Sequence, residues 1–486
     1  MNIDNLQTSL QKLETKIKAD FIELRYDDLQ LRTLLKENDN WKEIQSKRRK
    51  GVAITTYKKG TMGFSSTALL DEQSIIDAGI RAFKVCEISA ENASIDLSFP
   101  NDKPTIGTYK INYVKKHPKN VDLSEKTDLL ERGMPIAKEA GGKDVSNVKG
   151  LYGELYGDKL FVNSEGSKIQ YDFLITDLRF TVANKGVDGL VSGSDGFGGS
   201  NGLEVFNNGH SPESLAENAG KWSKEQLTAK AAPAGDFRCL AEERLVGVLA
   251  HESFGHLSEA DFIVSRGSPL TDRIGEQIAN ETVTIHDEGT PDIAKYSGLY
   301  LPFDDQGSKT SNTVIIEKGV LMGYLNTRGT ASYFEDKRTG NARALNFTFP
   351  VIPRMKNTYL KPGSMTEDEA IAELKDGIYA IRTAGGQVTA SGDFLFKAMR
   401  GYYVENGEIK YPLKEVSLSG NILELLKNIE GGTKNLELNS GYFGGCGKGD
   451  QYPLPVGLGG PKILFSKVRF GGTSAKKNDS GVQMNF

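Results

Sequence analysis

The chain has 486 residues, of which 38% are apolar, and its 60 basic and 64 acidic side chains give a formal net charge of −4. This is the composition of a globular protein, and the length exceeds one ordinary hydrophobic core, so two domains are expected. The slightly negative charge argues against a broad basic surface for nucleic acid, and no apolar run is long enough to cross a membrane.

The first half of the chain predicts helices that are interspersed with β-strands. Apolar residues recur there either at helical spacing or in alternation with polar residues, and Gly, Asn and Asp separate the runs. In chain order, the predicted elements are a helix at 6–17, a strand at 21–26, a hairpin at 51–66 that turns at Lys59-Gly60, a helix at 75–83, strands between 148 and 206, and a helix at 212–230.

A short linker, Ala231-Ala-Pro-Ala-Gly235, predicts the boundary between two domains, because helical composition stops there and a new strand begins. The predicted domains are residues 1–230 and residues 231–486. The second half contains many strand-like segments with glycine-rich turns. The sequence therefore predicts an α+β fold of two domains, with mainly antiparallel sheets and flanking helices.

Two of the five histidines lie in one motif, His251-Glu-Ser-Phe-Gly-His256. Two imidazoles with a carboxylate directly after the first are typical of zinc hydrolases, in which the imidazoles bind the metal and the carboxylate serves as a base. From the residues alone, an alternative is equally open: His251 and His256 are ordinary helix residues, and Glu252 is a solvated charge.

The spacing of the two histidines restricts the local backbone. Residues at i and i+5 of a regular α-helix lie about 140° apart around the axis, so they could not share one ion. A π-helical turn or a bend would bring them together, and Gly255 has the conformational freedom for it. We therefore predict that the helix carrying Leu245–His251 is irregular, or ends, by about His256.

A catalytic zinc ion commonly has three protein ligands, so a third ligand is required. The candidates are Glu259, Asp261, His286 and Cys446. His286 follows a strand-like run and is expected at the surface, whereas Cys446 lies in a glycine-rich loop where backbone can approach an ion. A thiolate is a strong zinc ligand. Lys448 either lowers the pKa of this thiol or is simply exposed.

The three cysteines are too few for a disulfide framework in a chain of this length, which favours a reducing, cytoplasmic location. The first residues show no charged segment followed by an apolar one, so no signal peptide is expected. Cys86 and Cys239 follow apolar or strand-like runs and are expected to be buried core thiols.

Several motifs together resemble the TldD/PmbA family, long described as DNA gyrase modulators and now understood as zinc metalloproteases. The resemblance covers essentially the whole chain. The matching segments are His251–His256 with Glu259-Ala-Asp261, Asn163-Ser-Glu-Gly166, Asp304-Asp-Gln-Gly307, Thr339-Gly-Asn-Ala-Arg343, Asn357-Thr-Tyr-Leu-Lys-Pro-Gly363, Gly385-Gly-Gln-Val388, Ser391-Gly-Asp-Phe394, Glu405-Asn-Gly407, Leu418-Ser-Gly-Asn421, Gly445-Cys-Gly-Lys-Gly-Asp-Gln451 and Pro455-Val-Gly-Leu-Gly459.

The resemblance is to the TldD-like, active branch, because every position of the metal motif is retained. It implies that His251, His256 and Cys446 bind Zn²⁺ and that Glu252 is the general base. The implied substrates are unstructured or small peptides that pair with a sheet edge in a narrow cleft. The implied assembly is a dimer, either with a second copy or with a PmbA-like (TldE-like) subunit that lacks the metal site.

Two rival functions remain at this point. The chain could be a non-catalytic protein, either a peptide-binding partner subunit or a gyrase or toxin modulator, but this leaves a complete ligand set without a purpose. Alternatively, the same zinc chemistry could cleave a non-peptide amide. The two enzymatic hypotheses differ only in substrate.

Overall fold

A computed structural model describes residues 1–91, 103–187, 189–207, 209–294 and 297–471. Within these ranges the chain has an α+β fold of two domains, with mostly antiparallel sheets, as the sequence predicts. None of the helices that the structure describes is both long and apolar enough to span a membrane.

Helices occur in both parts of the molecule, and the two longest helices that the structure describes lie in the first part. The predicted helix at 212–230 ends earlier, at Gln226. The α-helices are α1 (Ile3–Glu14), α2 (Glu72–Glu91), α3 (Leu123–Gly141), α4 (Pro212–Gln226), α5 (Glu243–Ala250), α6 (Ala260–Val264), α7 (Pro291–Ala294), α8 (Arg328–Tyr333), α9 (Glu367–Leu374) and α10 (Ile422–Lys427).

One seven-stranded sheet forms the first part of the protein. Its strands are β1 (Phe21–Glu37), β2 (Asn40–Lys58), β3 (Thr61–Thr67), β4 (Ile106–Tyr109), β5 (Val145–Asn163), β6 (Lys168–Gly186) and β7 (Gly189–Gly199). The order is β3-β2-β1-β5-β6, and both β4 and β7 pair with β6. Helices α1 and α2 cover one apolar cluster of this sheet, and α3 and α4 cover another. The strands are far longer than the sequence predicted, but the Lys59-Gly60 turn lies where expected.

The second part contains a ten-stranded sheet and a six-stranded sheet. Its strands are β8 (Lys230–Ala231), β9 (Gly235–Ala241), β10 (Ile285–Asp287), β11 (Thr313–Glu317), β12 (Val320–Leu321), β13 (Ala342–Arg343), β14 (Ile352–Pro353), β15 (Asn357–Leu360), β16 (Gly377–Ile381), β17 (Gly386–Val388), β18 (Asp393–Lys397), β19 (Arg400–Glu405), β20 (Glu408–Lys414), β21 (Ser417–Asn421), β22 (Ile429–Gly432), β23 (Glu437–Ser440), β24 (Cys446–Lys448), β25 (Gln451–Leu454), β26 (Gly457–Gly460) and β27 (Ile463–Phe470).

The larger sheet runs β17-β18-β21-β27-β9-β16-β19-β20-β8, with β22 also paired to β27. The smaller sheet runs β12-β11-β10-β15-β26-β23. Strands β24 and β25 form a separate hairpin. The predicted domain boundary between residues 230 and 231 stays a prediction.

Buried ion pairs join the two parts. Lys159 of β5 donates to the Asp305 carboxylate at 2.5 Å, and Arg328 binds both oxygens of Glu165 at 3.0 and 2.7 Å. A two-pronged guanidinium–carboxylate contact fixes orientation as well as distance. The motifs at 163–166 and 304–307 therefore contribute to the junction between the two parts.

Candidate metal centre

Helix α5, which leads into the histidine motif, packs closely against the six-stranded sheet. Its amino end is capped by the Glu242 carboxylate, which accepts hydrogen bonds from the backbone of Arg244 and Leu245. A Cβ atom added at Gly247 would lie 2.2 Å from the backbone nitrogen of Gly459 in β26. The glycine at residue 247 thus allows the helix to approach the backbone of β26 directly.

The motif itself forms a π-helical turn, from His251 to Gly255, in which the N–H of His256 bonds to the carbonyl of His251. The wider turn rotates His256 back toward His251, and their ring centroids are 5.1 Å apart. The predicted irregularity of this helix is confirmed. Gly255 does not have a positive φ, so backbone freedom is not the reason for glycine here.

The lack of space for a side chain explains why residue 255 is glycine. A Cβ at residue 255 would lie 1.8 Å from the sulfur of Met355. We expect Gly255→Ala to destabilise the protein by about 1–3 kcal/mol, because the added methyl group must displace packed atoms. Thermal unfolding of the metal-free protein measures this effect. Gly329→Ala is the control, because a carbon added there in helix α8 meets nothing closer than 3.9 Å. It should not lower the midpoint temperature of unfolding.

Three buried donor atoms converge at this turn. The Sγ atom of Cys446 lies 3.0 Å from His251 Nε2 and 2.9 Å from His256 Nε2. The three ligand atoms all lie within 4.8 Å of one another, and each side chain is almost fully buried. Of the four candidates for a third ligand, Cys446 is the one that contacts the Nε2 atoms of both histidines.

The Cys446 thiol is placed by the β24–β25 hairpin. Gly444 and Gly445 precede it with φ values of 92° and 153°, a region that favours glycine. A Cβ at Gly445 would also lie 2.6 Å from the carbonyl oxygen of Leu454. The glycine-rich sequence is therefore required for the tight approach that carries the sulfur to the histidines.

Charge favours an ionised thiol at this position. Burial opposes ionisation of Cys446, but His256, His251 and Arg354 outweigh it and hold the pKa of the thiol well below its usual range. Burial likewise opposes the charged form of His256, yet the charges of Cys446 and Glu259 raise its pKa well above the ordinary value. Sulfur and imidazole therefore stabilise each other's charged forms.

The other three candidate ligands have different contacts. Glu259 contacts the Nδ1 atom of His256 at 2.9 Å, on the far side of the ring from Cys446. Asp261 pairs with Lys448 at 2.6 Å. His286 is buried in β10, between β11 and β15, so the prediction that it lies at the surface was wrong. Cys86 and Cys239, by contrast, are buried as expected.

A group of charged side chains lies behind His256. Lys448 donates to Glu259 at 2.9 Å and is mostly buried, so it is not the exposed residue that one interpretation expected. Arg354 is fully buried, with its Nε atom 3.7 Å from Glu259. These cations, with His256, hold the pKa of Glu259 at about 2 although burial would raise it. The sequence did not predict that Arg354 belongs to this site. The one local indication was a charged residue within a largely apolar segment.

Glu252 is buried beside the donor atoms. Its Oε2 atom lies 4.0 Å from His256 Nε2, and its side chain is 3% exposed. Burial raises its pKa above the ordinary value, although the neighbouring histidines act in the opposite direction. The carboxylate is therefore close to the three donor atoms, and burial favours its proton-bound form.

The donor set fits a divalent metal such as zinc. Tetrahedral coordination by nitrogen and thiolate places those atoms about 3.5 Å apart, given ordinary Zn–N and Zn–S bonds. The observed nitrogen–sulfur separations of 2.9 and 3.0 Å need only a small opening to reach this value. A carboxylate hydrogen-bonded to the remote nitrogen of His256 is also a common feature of metal-binding histidines.

Comparison with known sequences places most of the chain in one family. The profile described as the PmbA/TldA metallopeptidase C-terminal domain matches residues 234–472, and that of the corresponding central domain matches residues 116–227. The matched regions therefore include the histidine motif and the Cys446 hairpin.

Individual relatives and structures agree with these profiles. A metalloprotease of Methanocaldococcus jannaschii is 33% identical over 454 residues, covering 93% of this chain and 97% of the relative. A zinc metalloprotease TldD homologue of Saccharolobus solfataricus is 28% identical over 463 residues, covering 95% and 98%. The crystal structure of TldE from Thermococcus kodakarensis has the same fold, with a TM-score of 0.77 at 17% identity and coverage of 96% and 100%. The chain thus belongs to the TldD/PmbA family of metalloproteases.

Proposed function

We propose that the protein is a zinc-dependent peptidase that hydrolyses unstructured or small peptides. His251, His256 and Cys446 would bind the zinc, and Glu252 would be the general base. One observation carries this proposal: two imidazoles and a thiol from segments 190 residues apart converge next to a buried carboxylate. An inactive scaffold has no need for this convergence.

Bound zinc would polarise a water molecule and the carbonyl of the scissile peptide bond. Glu252 would accept the proton of that water at its carboxylate and return it to the departing amine. Its position supports this role, because the buried carboxylate lies 4.0 Å from one of the proposed ligand atoms, His256 Nε2. Burial of the cluster also limits competing water.

Strand β17 offers a place for an extended substrate. It is an edge strand, and it lies against the π-helical turn. The backbone bonds of Thr389 to Asp393 and of Lys397 to Gly385 show that alternate residues face β18. The N–H and C=O groups of Gly386 and Val388 therefore point away from β18, the direction in which an added peptide main chain would pair with this edge.

Removing one of these outward groups should weaken peptide binding. We expect Val388→Pro to raise KM several-fold with a smaller change in kcat, because proline removes the N–H without breaking a bond to β18. Steady-state cleavage of an unstructured peptide measures this effect. Val388→Ala, which keeps the N–H, is the matched control, and an equal loss in both variants would contradict main-chain pairing.

Metal analysis and cleavage assays test the function as a whole. The purified chain should contain zinc near one equivalent and should cleave an unstructured peptide in a chelator-sensitive reaction that zinc restores. Zinc without cleavage of any peptide would instead favour a non-catalytic, peptide-binding subunit. Absence of zinc binding by the folded protein would contradict the proposal.

The expected assembly remains part of the proposal. We expect a dimer, either of two copies or with a TldE-like subunit, because the fold is shared with a protein named TldE. Light scattering on the purified chain distinguishes self-association from the need for a second subunit.

A further inference from the structure

We propose that Glu259 is a positioning residue for the metal centre. It orients His256 directly, and through Lys448 it fixes the hairpin that carries Cys446. We call this contact between Glu259 and Lys448 the clamp. The inference rests on the proposed zinc function, and it adds a residue that binds neither zinc nor substrate.

The first half of the argument concerns His256. The Oε2 atom of Glu259 lies 2.9 Å from His256 Nδ1, and an ionised carboxylate can only accept a hydrogen bond. Nδ1 must therefore carry a hydrogen, and when the ring is neutral, as a metal ligand must be, its lone pair lies on Nε2, facing Cys446. In contrast, the buried Nδ1 atom of His251 has no hydrogen-bond partner among the described residues. Of the two imidazoles, His256 is the one whose remote nitrogen is held by a hydrogen bond.

The second half concerns Cys446. The same Oε2 atom accepts a hydrogen bond from Lys448 Nζ at 2.9 Å, and Lys448 lies in β24 with the cysteine. This short strand pairs only with β25 in the described structure, so the sheets do not hold it in place. The clamp ties it to the segment that immediately follows the π-helical turn.

The residues of the clamp are buried, so loss of Glu259 should have a larger effect than loss of an exposed carboxylate. Glu259 and Arg354 have no exposed surface, and Lys448 is 9% exposed. Removing the carboxylate would leave the buried Arg354 without its carboxylate neighbour and Lys448 with Asp261 as its remaining acidic partner, and an uncompensated charge is costly in the interior. Asp261 also binds Lys448, but its side chain is 37% exposed and it does not contact either histidine. It therefore serves as a matched control.

The test measures metal binding by the full chain. Zinc affinity is obtained by competition with a chromophoric chelator, and the visible spectrum of the Co²⁺-substituted protein reports the sulfur–metal bond. We expect Glu259→Gln to weaken zinc binding about 10–100-fold, the usual loss when a partner behind a metal ligand is removed. Lys448→Met should weaken zinc binding and reduce the sulfur-to-cobalt charge-transfer band. Asp261→Asn should change neither.

The outcomes separate this inference from the proposed function. A wild-type protein that binds neither metal contradicts the function itself. If the wild type binds one equivalent of zinc and the folded Glu259→Gln variant binds zinc with the same affinity, the positioning role of Glu259 is wrong but the proposed function is not affected. Equal losses in Asp261→Asn and Glu259→Gln would also overturn it, because they would indicate a general charge effect. If Glu259→Gln does not fold, Lys448→Met provides the test. A zinc affinity and a Co²⁺ spectrum in Lys448→Met that equal those of the wild type would contradict the clamp.

Discussion

Replacement of Glu252 by glutamine should lower kcat for peptide cleavage by about 10²–10⁴-fold, the range that general acid–base catalysis contributes. The protein should still bind zinc, because Glu252 is not one of the three converging donors. Glutamine has nearly the same shape as glutamate but cannot accept the proton of a nucleophilic water. Activity and zinc content must therefore be measured on the same preparation.

The neighbouring residue provides a control for this experiment. Ser253 is buried in the same turn, and its hydroxyl donates to the carbonyl of Leu249. Ser253→Ala should keep both zinc and activity, since the hydroxyl does not contact the donor atoms. Full activity in Glu252→Gln would remove this residue from the mechanism, whereas loss of zinc from Glu252→Gln would show that it supports the site rather than the reaction.

Replacement of Cys446 by alanine should have a second large effect, on the metal itself. A thiolate supplies negative charge and a short bond to zinc, and two buried imidazoles alone make an incomplete site. We expect zinc affinity to fall by more than the roughly 10–100-fold loss that accompanies removal of a partner behind a ligand. Peptide cleavage should be lost with it. Elemental analysis after dialysis and chelator competition measure the change.

Cys239→Ala is the matched control for the cysteine. Cys239 is also fully buried, but it lies in β9 and is not among the donor atoms that converge. Its replacement should leave the zinc content unchanged. If Cys446→Ala retained stoichiometric zinc and activity, the proposed ligand set would be wrong and a different third donor would have to be found.

Local geometry was predictable from the sequence. The five-residue spacing of His251 and His256 is incompatible with a regular α-helix that shares one ion, so an irregular turn could be expected and is present. The fold class followed from the alternation of strand-like runs and glycine-rich turns. In both cases the information is contained within short segments of the chain.

Tertiary geometry was not predictable in the same way. Residues alone left Glu259, Asp261, His286 and Cys446 open as third ligands, because spacing along the chain does not determine which segments meet after folding. The role of Glu259 follows from the backbone direction after the π-helical turn, which no local pattern determines. Arg354 is separated by 95 residues from its partner in the sequence and was invisible to motif analysis.

The wide separation of the donors along the chain has a consequence for biosynthesis. Both histidines emerge from the ribosome long before the cysteine, which follows His256 by 190 residues. A nascent or prematurely terminated polypeptide that ends before Cys446 holds two imidazoles but no thiolate, and it cannot complete the centre. If the proposed ligand set is right, hydrolytic capacity would thus arise only late in translation, once Cys446 has been added.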